Sequence, residues 1–195
     1  ADVQIKGFEK TDYPNDFFDV AIGNVPFGQY KVADKQYDKN NFLIHDYFFA
    51  KTLDKVRPGG VVAFITSKGT MDKASPEVRR YLAQRADLLG AVQKRDRMVE
   101  REPDWVHLGE DADGIAMNAY FAQHPEQIVG KMEMVSGPYG VESTCRADDS
   151  RPFAEQLAKA LENITGQIDT IDLDEELADD MSRQSIPADP SVKNF

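Results

Sequence analysis

Residues 18–27, FDVAIGNVPF, combine a strand pattern with an abrupt stop. The first half, Phe18 to Ile22, is an apolar segment typical of a buried strand. The second half, NVPF at residues 24–27, follows it directly. Proline fixes its own backbone angle and donates no hydrogen bond, so Pro26 marks the end of the strand. The sequence therefore predicts an amide, a proline and an aromatic ring together at a strand end.

The segments around this strand predict an α/β fold. An alternating pattern suggests a strand near residues 3–5, and a helix is expected from residue 40 or 41 to residue 56, ending at RPGG. VVAFI at residues 61–65 is a continuous apolar run, typical of a central parallel strand covered on both faces. Ser75-Pro76-Glu77 then predicts the start of another helix. Strand, helix, strand, helix implies a parallel sheet with crossover helices.

The later part of the chain divides by composition. We interpret residues 1–92 as the α/β portion and residues 93–150, which lack a clear repeat, as an irregular α+β extension. An amphipathic helix is predicted over residues 151–166, either packed on its own domain or free to bind a partner. Residues 167–195 are acidic, and we expect a flexible tail there.

Composition limits the classes of function. The net charge of −11 opposes non-specific binding to phosphate, although a local basic patch stays possible. A lone Cys145 fits a reducing cytoplasm, where we expect the protein to be located. His45, His107 and His124 lack metal-ligand spacing, so no metal is expected. No apolar run is long enough to span a membrane. The chain starts without Met, in what looks like the middle of a domain, and we expect a fragment.

Three interpretations apply to residues 23–28, GNVPFG. Gly23 and Gly28 have the spacing of a phosphate-binding loop, but Gln29 and Tyr30 follow where that loop needs Lys and then Ser or Thr. A strand-to-loop turn with no further meaning is the second interpretation. The third is chemical and concerns an exocyclic amine, whose lone pair is delocalised into the ring of its base.

In the chemical interpretation, two oxygens accept the N–H groups of the amine and free its lone pair. The Asn24 carboxamide supplies one oxygen and the backbone carbonyl of Val25 the other. Pro26 adds no competing N–H, and Phe27 offers a flat face on which a base can stack. Open α/β sheets hold their ligands at this carboxyl end of the strands.

These residues resemble a known family. DVAIGNVPFG looks like the catalytic motif of amino-group DNA methyltransferases, and residues 7–30 with residues 56–73 resemble the N6-adenine methylase domain of very large helicase-methylase proteins from bacterial mobile elements. The resemblance implies the C-terminal half of a Rossmann-like class I sheet that uses S-adenosylmethionine. It implies two partners: DNA, whose target adenine is flipped out of the duplex, and the remainder of a larger polypeptide. Glu9 is a candidate cofactor ligand, and Gln29 and Tyr30 are candidates for contact with the target strand.

The chain departs from the family pattern in several ways. Val25 replaces the usual first proline, which we expect to be tolerated because the backbone oxygen acts there. The glycine-rich cofactor loop is absent from the sequence, so we expect residues 1–195 alone to bind S-adenosylmethionine poorly and to show no turnover. A gap is expected between Val92 and Gln93, either through lost residues or across a disordered segment. Alternatives are a non-catalytic module for DNA handling or assembly, or a methylase acting on RNA adenine or protein glutamine.

Overall fold

The computed structural model describes residues 3–165, which form a mixed sheet, two further hairpins and four α-helices. The first part of the chain contains β1 (Phe18–Asn24), α1 (Ile44–Lys55), β2 (Val56–Ile65), α2 (Glu77–Ala83), β3 (Ala86–Leu88) and β4 (Val92–Lys94). The second part contains β5 (Leu108–Glu110), β6 (Ala116–Asn118), α3 (Ala119–Gln123), β7 (Lys131–Gly137), β8 (Gly140–Arg146) and α4 (Phe153–Thr165).

The main sheet has the strand order β1-β2-β4-β3. β1 and β2 are parallel and joined by α1, with Asn24 opposite Ile65 at their carboxyl ends. β4 runs antiparallel to both β2 and β3. The predicted α/β class is confirmed, but the parallel arrangement is wrong beyond β1 and β2, because β3 and β4 are joined by a tight turn rather than by a crossover helix.

The junction of α1 and β2 differs from its prediction. The helix ends at Lys55, and the chain enters β2 at once, so the RPGG segment that was expected to terminate the helix lies inside the strand. The strand accommodates the RPGG segment because Gly60 has no side chain. A Cβ atom at that position would lie only 2.6 Å from the backbone oxygen of Asp19 on β1. The register of the pair also shifts between Phe18 and Val20. Glycine and a strand irregularity together fit a proline-containing segment into the sheet.

Three further expectations are corrected. Residues 3–5 form no strand, because they have no neighbouring strand to pair with in the described part of the chain. α2 ends at Ala83, so Leu89, which lies at a position that would continue the helical spacing, falls beyond the helix and just after β3. The backbone runs without a break through Val92 and Gln93, which lie together in β4. The expected break in space is therefore wrong, and a loss of residues at that point stays a prediction.

The core lies on one face of the sheet. Leu53 on α1, Val56 and Val62 on β2 and Leu82 on α2 are at most 2% exposed. Burying such a side chain contributes about 1.5–3 kcal/mol. On the opposite face Ile22 and Ile65 are 80% and 70% exposed. The prediction that residues 61–65 are covered on both faces is wrong within the described chain.

Residues 93–150 contain more regular structure than their composition indicates. They hold the β5–β6 hairpin, the short helix α3 and the longer β7–β8 hairpin. α4 follows, with Ala160 buried and Ile164 close to Gly90, whereas Phe153 and Leu161 are 66% and 50% exposed. The helix thus packs along one side of its apolar stripe only. The predicted acidic tail lies outside the described residues.

No helix within residues 3–165 is both long enough and apolar enough to cross a membrane. In the same range no group of three or more His, Cys, Asp or Glu side chains is placed to hold a metal ion.

Candidate functional site

Asn24 is the last residue of β1, and its side chain is exposed. Within residues 3–165 the carboxamide makes no hydrogen bond to the protein. The backbone beside it is fixed, because the Val25 N–H donates to the Ile65 carbonyl at 3.1 Å. The Asn24 amide is thus held on a rigid strand end with its hydrogen-bonding groups turned to solvent.

The three residues after Asn24 differ in burial. Val25 is 3% exposed and anchors the chain, and its carbonyl oxygen accepts no hydrogen bond from the described residues. Pro26 is exposed, and the Phe27 ring is 59% exposed. The structure therefore brings together an available amide, an available peptide carbonyl and an open aromatic face. This arrangement can accept a planar amine, and the roles assigned to these residues stay predictions.

The loop from residue 25 to residue 43 is fastened onto α1. The Asp34 carboxylate accepts hydrogen bonds from the Tyr47 hydroxyl at 2.7 Å and from Lys51 Nζ at 3.0 Å. Burial opposes ionisation of Asp34, but these two bonds, the Gln36 N–H and the charge of Lys51 together outweigh it and hold the pKa of Asp34 below the ordinary value. The N–H of Ile44 at the start of α1 donates to the Tyr30 carbonyl at 2.9 Å. The middle of the loop and its junction with α1 are therefore restrained.

Gln29 and Tyr30 lie in this loop and are exposed, which keeps them accessible. The Tyr30 ring packs against Gly28, where a Cβ atom would come within 2.9 Å of the ring. Gly28 therefore leaves room for the aromatic ring two residues later. Whether Gln29 and Tyr30 contact a substrate stays a prediction.

A cavity of about 360 Å³ runs along the outer edge of β1. Phe8, Val20, Phe48 and Asn24 contribute to its lining, which is mainly apolar. Phe8 packs on the Phe48 ring with 5.0 Å between ring centroids. Glu9, the predicted cofactor ligand, is half-buried in a short 3-10 turn next to Phe8 but does not line the cavity. The structure thus places Phe8, rather than Glu9, in the lining of the cavity to which Asn24 contributes.

The loop that follows β2 is held by two buried polar side chains that sequence reasoning missed. Asn118 is fully buried and donates to the carbonyls of Met71 and Trp105 at 3.0 and 2.9 Å. Arg79 is 1% exposed and donates to the Lys73 carbonyl at 2.7 Å. An arginine within an amphipathic helix pattern was the available signal, since such a residue must find acceptors when it is buried.

The first turn of α1 contains a buried pair, His45 and Asp46, which the sequence did not predict. They are 3% and 1% exposed, with His45 Nε2 at 3.5 Å from Asp46 Oδ1. Asp46 also accepts a bond from Lys73 Nζ at 3.0 Å. Burial lowers the pKa of His45, with Asp46 opposing and Lys73 reinforcing that shift. Neither ring nitrogen has a hydrogen-bond partner in the described part of the chain.

The first half of the chain is similar to a known protein family. Residues 2–97 match the family model described as Eco57I restriction-modification methylase. That range contains all four strands of the main sheet, and the match supports a methylase domain there.

A relative extends the similarity beyond that domain. The chain is 29% identical over 139 residues to Defense against restriction protein B of Escherichia phage P1. The alignment covers 68% of this chain, which spans only 6% of the length of that relative. No solved structure matches the chain.

Proposed function

We propose that residues 18–30 form the target-amine site of a DNA methyltransferase that acts on N6 of adenine. The observation that carries the proposal is the exposed Asn24 carboxamide at a rigid strand end, which has no hydrogen-bond partner among the described residues and lies inside a segment that matches a methylase family model. The mixed sheet is compatible with the C-terminal half of a Rossmann-like methyltransferase sheet.

The residues of the site act by accepting and positioning. The Asn24 side-chain oxygen and the Val25 carbonyl accept the two N–H groups of the amine, which directs its lone pair away from the ring. Phe27 stacks on a base that has left the duplex. The buried Val25 side chain and its bond to Ile65 keep both oxygens in place, and such preorganised groups are worth more than flexible ones.

The cofactor implied by the family is S-adenosylmethionine, which supplies an electrophilic methyl group. The residues described here do not suffice to hold it. The cavity beside β1 has few polar groups to bind ribose hydroxyls or an amino-acid head group, and the sequence lacks a glycine-rich loop. The outer edge of β1 is unpaired within residues 3–165, so a strand from elsewhere in a larger polypeptide has a place to add. In this proposal that added segment binds the cofactor.

A non-catalytic role is the second candidate. The missing cofactor loop favours it, and the one relative described above is named for defence against restriction rather than for methylation. In that case the fold serves DNA handling or assembly, and the Asn24 amide has no chemical task.

The test measures N6-methyladenine in DNA after incubation with the complete gene product, by mass spectrometry of digested nucleosides. We expect Asn24→Ala to lower the rate at least about a hundredfold, because removing one preorganised polar contact to a transition state typically costs that much. Gln36→Ala is the matched control, since it removes an exposed amide from the loop that follows Asn24.

Three results would contradict the proposal. Equal methylation by wild type and Asn24→Ala removes the role given to the amide. Absence of DNA methylation in the wild type, with RNA adenine or protein glutamine methylated instead, redirects the site to another planar amine. No methyl transfer to any of these substrates favours the non-catalytic role.

A further inference from the structure

Another cavity, of about 320 Å³, lies between the loop that follows β2 and the β7–β8 hairpin. Its apolar wall includes Met71, Met117, Phe121 and Met132. It shares no lining residue with the cavity along β1. Mainly apolar cavities with a few polar groups are the usual form of small-molecule sites. The methylase motif at residues 24–27 does not account for this cavity.

Polar groups line the cavity on the side formed by the loop after β2, and Gln127, Ser143 and Thr144 line it elsewhere. Thr66 and Lys68 are both part of the lining. The Thr66 hydroxyl oxygen is buried and has no hydrogen-bond partner among the described residues. Lys68 is half-exposed, and its ammonium donates to the Ser143 carbonyl at 2.7 Å and lies 3.4 Å from Glu142 Oε2. This side therefore combines a hydroxyl that needs a partner with a solvent-accessible cation.

Asp72 adds a third polar group to the lining. Burial raises the pKa of Asp72, although the N–H of Asn118 donates to its carboxylate at 3.2 Å and opposes the shift. A carboxyl group in this setting can donate as well as accept a hydrogen bond once it is protonated.

The chemistry of the walls selects a planar heterocycle with an attached anion. Methionine sulfur makes favourable contacts with aromatic rings, and Phe121 offers a ring against which another can pack. A purely aliphatic ligand leaves the Thr66 hydroxyl without a partner, which is unfavourable for a buried polar group. A small anion alone leaves the apolar wall unfilled. A nucleotide satisfies the apolar wall, the hydroxyl and the ammonium together.

We propose that this cavity binds the base of an unstacked nucleotide, with its phosphate at Lys68. Thr66 directly follows Ile65, the residue that pairs with Asn24, so the cavity begins next to the strand-end site. The nucleotide is a neighbour of the target adenine on the same strand. Only this last identification rests on the proposed function.

The test uses this chain with ¹³C-labelled methionine methyl groups and NMR titration with deoxyadenosine monophosphate. We expect the methyl signals of Met71, Met117 and Met132 to shift, because an aromatic ring enters between them. Met98 is 64% exposed and does not line the cavity, so its signal is the internal control. Deoxyadenosine and inorganic phosphate, titrated separately, distinguish binding of the base from binding of the anion.

Variants make the test decisive. Ser143→Phe fills the cavity and should abolish the shifts, with the unfolding curve and the Met98 signal showing that the fold persists. Thr66→Val keeps the shape and removes the hydroxyl, so the dissociation constant should rise about three- to tenfold. If Ser143→Phe does not fold, the dissociation constant measured for Thr66→Val decides the test.

Asn24→Ala separates this proposal from the proposed function. Unchanged shifts in that variant support a distinct nucleotide site, whether or not the protein methylates DNA. Shifts that disappear in Asn24→Ala assign the nucleotide to the strand end, which overturns the second site and leaves the methylase proposal standing. Absence of any shift at the three methionines with millimolar nucleotide also overturns it.

Discussion

Asn24 combines two properties that usually exclude each other at the surface of a protein. Its side chain is exposed, yet its backbone is as restrained as that of a core residue because Val25 is buried and bonded to Ile65. An exposed amide on a flexible loop would lose conformational entropy each time it bound a substrate. At the end of β1 that loss has already occurred during folding.

His45 makes stability depend on pH. Burial lowers its pKa in the folded protein, so the unfolded chain takes up a proton at a higher pH than the folded chain does. Stability is therefore lost as the pH falls below about 6.5, the ordinary pKa of histidine. Urea unfolding at pH 7.5 and 5.5 should show a lower midpoint at pH 5.5, and His45→Gln should reduce that difference.

The charged groups next to His45 provide a control for the predicted loss of stability at low pH. Asp46 favours the protonated ring and Lys73 disfavours it. Lys73→Met should therefore weaken the pH dependence without removing a ring. An equal change of midpoint with pH in wild type and in His45→Gln would show that other groups cause the dependence.

Sequence reasoning at the residue scale was strongest where chemistry was local. The amide, carbonyl and ring of the NVPF segment are consecutive, so their proximity could be predicted. Asn118 supports the loop after β2 from more than forty residues away. No local pattern indicates such a contact, because it exists only after the β5–β6 hairpin has packed.

Gly60 is the element-scale feature that allows β1 and β2 to pair. A methyl group there would lie 2.6 Å from the Asp19 backbone oxygen and 2.5 Å from Val56 Cγ1. Gly60→Ala should therefore lower the free energy of unfolding by about 1–3 kcal/mol, the usual cost of overpacking. The measurement is chemical denaturation monitored by circular dichroism.

Gly23 is the matched control in the same strand pair. A Cβ atom at that position would meet only the Phe64 ring, at 3.7 Å, which is an ordinary contact. Gly23→Ala should leave the denaturation midpoint nearly unchanged. Equal losses for the two variants would mean that strand glycines matter here for a reason other than close approach.

Boundaries of elements were less predictable than the elements themselves. The glycines and proline of RPGG are normal signals for the end of a helix, yet here they lie in β2. Tertiary pairing with β1 overrides the local preference, because the shifted register accepts an irregular strand. Likewise, the short strands β3 and β4 have three residues each, too few to show a period.

At the scale of the whole molecule, the edge of β1 that no strand within residues 3–165 covers predicts incomplete function. We expect calorimetric titration of residues 1–195 with S-adenosylmethionine to show no saturable binding, because few polar groups face the adjoining cavity. The complete gene product should bind it if an added segment supplies the remaining contacts. Micromolar binding by the 195-residue chain would contradict the prediction.

The α/β class and the motif could be predicted because both depend on short-range patterns. The sequence could not predict three other features: the order of β4 and β3, the two later hairpins, and the open face of β1 and β2. They depend on which surfaces meet in space, and apolar periodicity does not specify a partner for each face.

β1, α1 and β2 are consecutive along the chain, within residues 18–65. These three elements pair and pack with one another, whereas the β7–β8 hairpin forms a separate sheet. The strand end bearing Asn24 is thus held by contacts to which that hairpin contributes no strand pairing. Lesions in that hairpin should consequently spare the placement of the amide, whereas a helix-breaking lesion in α1 should prevent it from the outset.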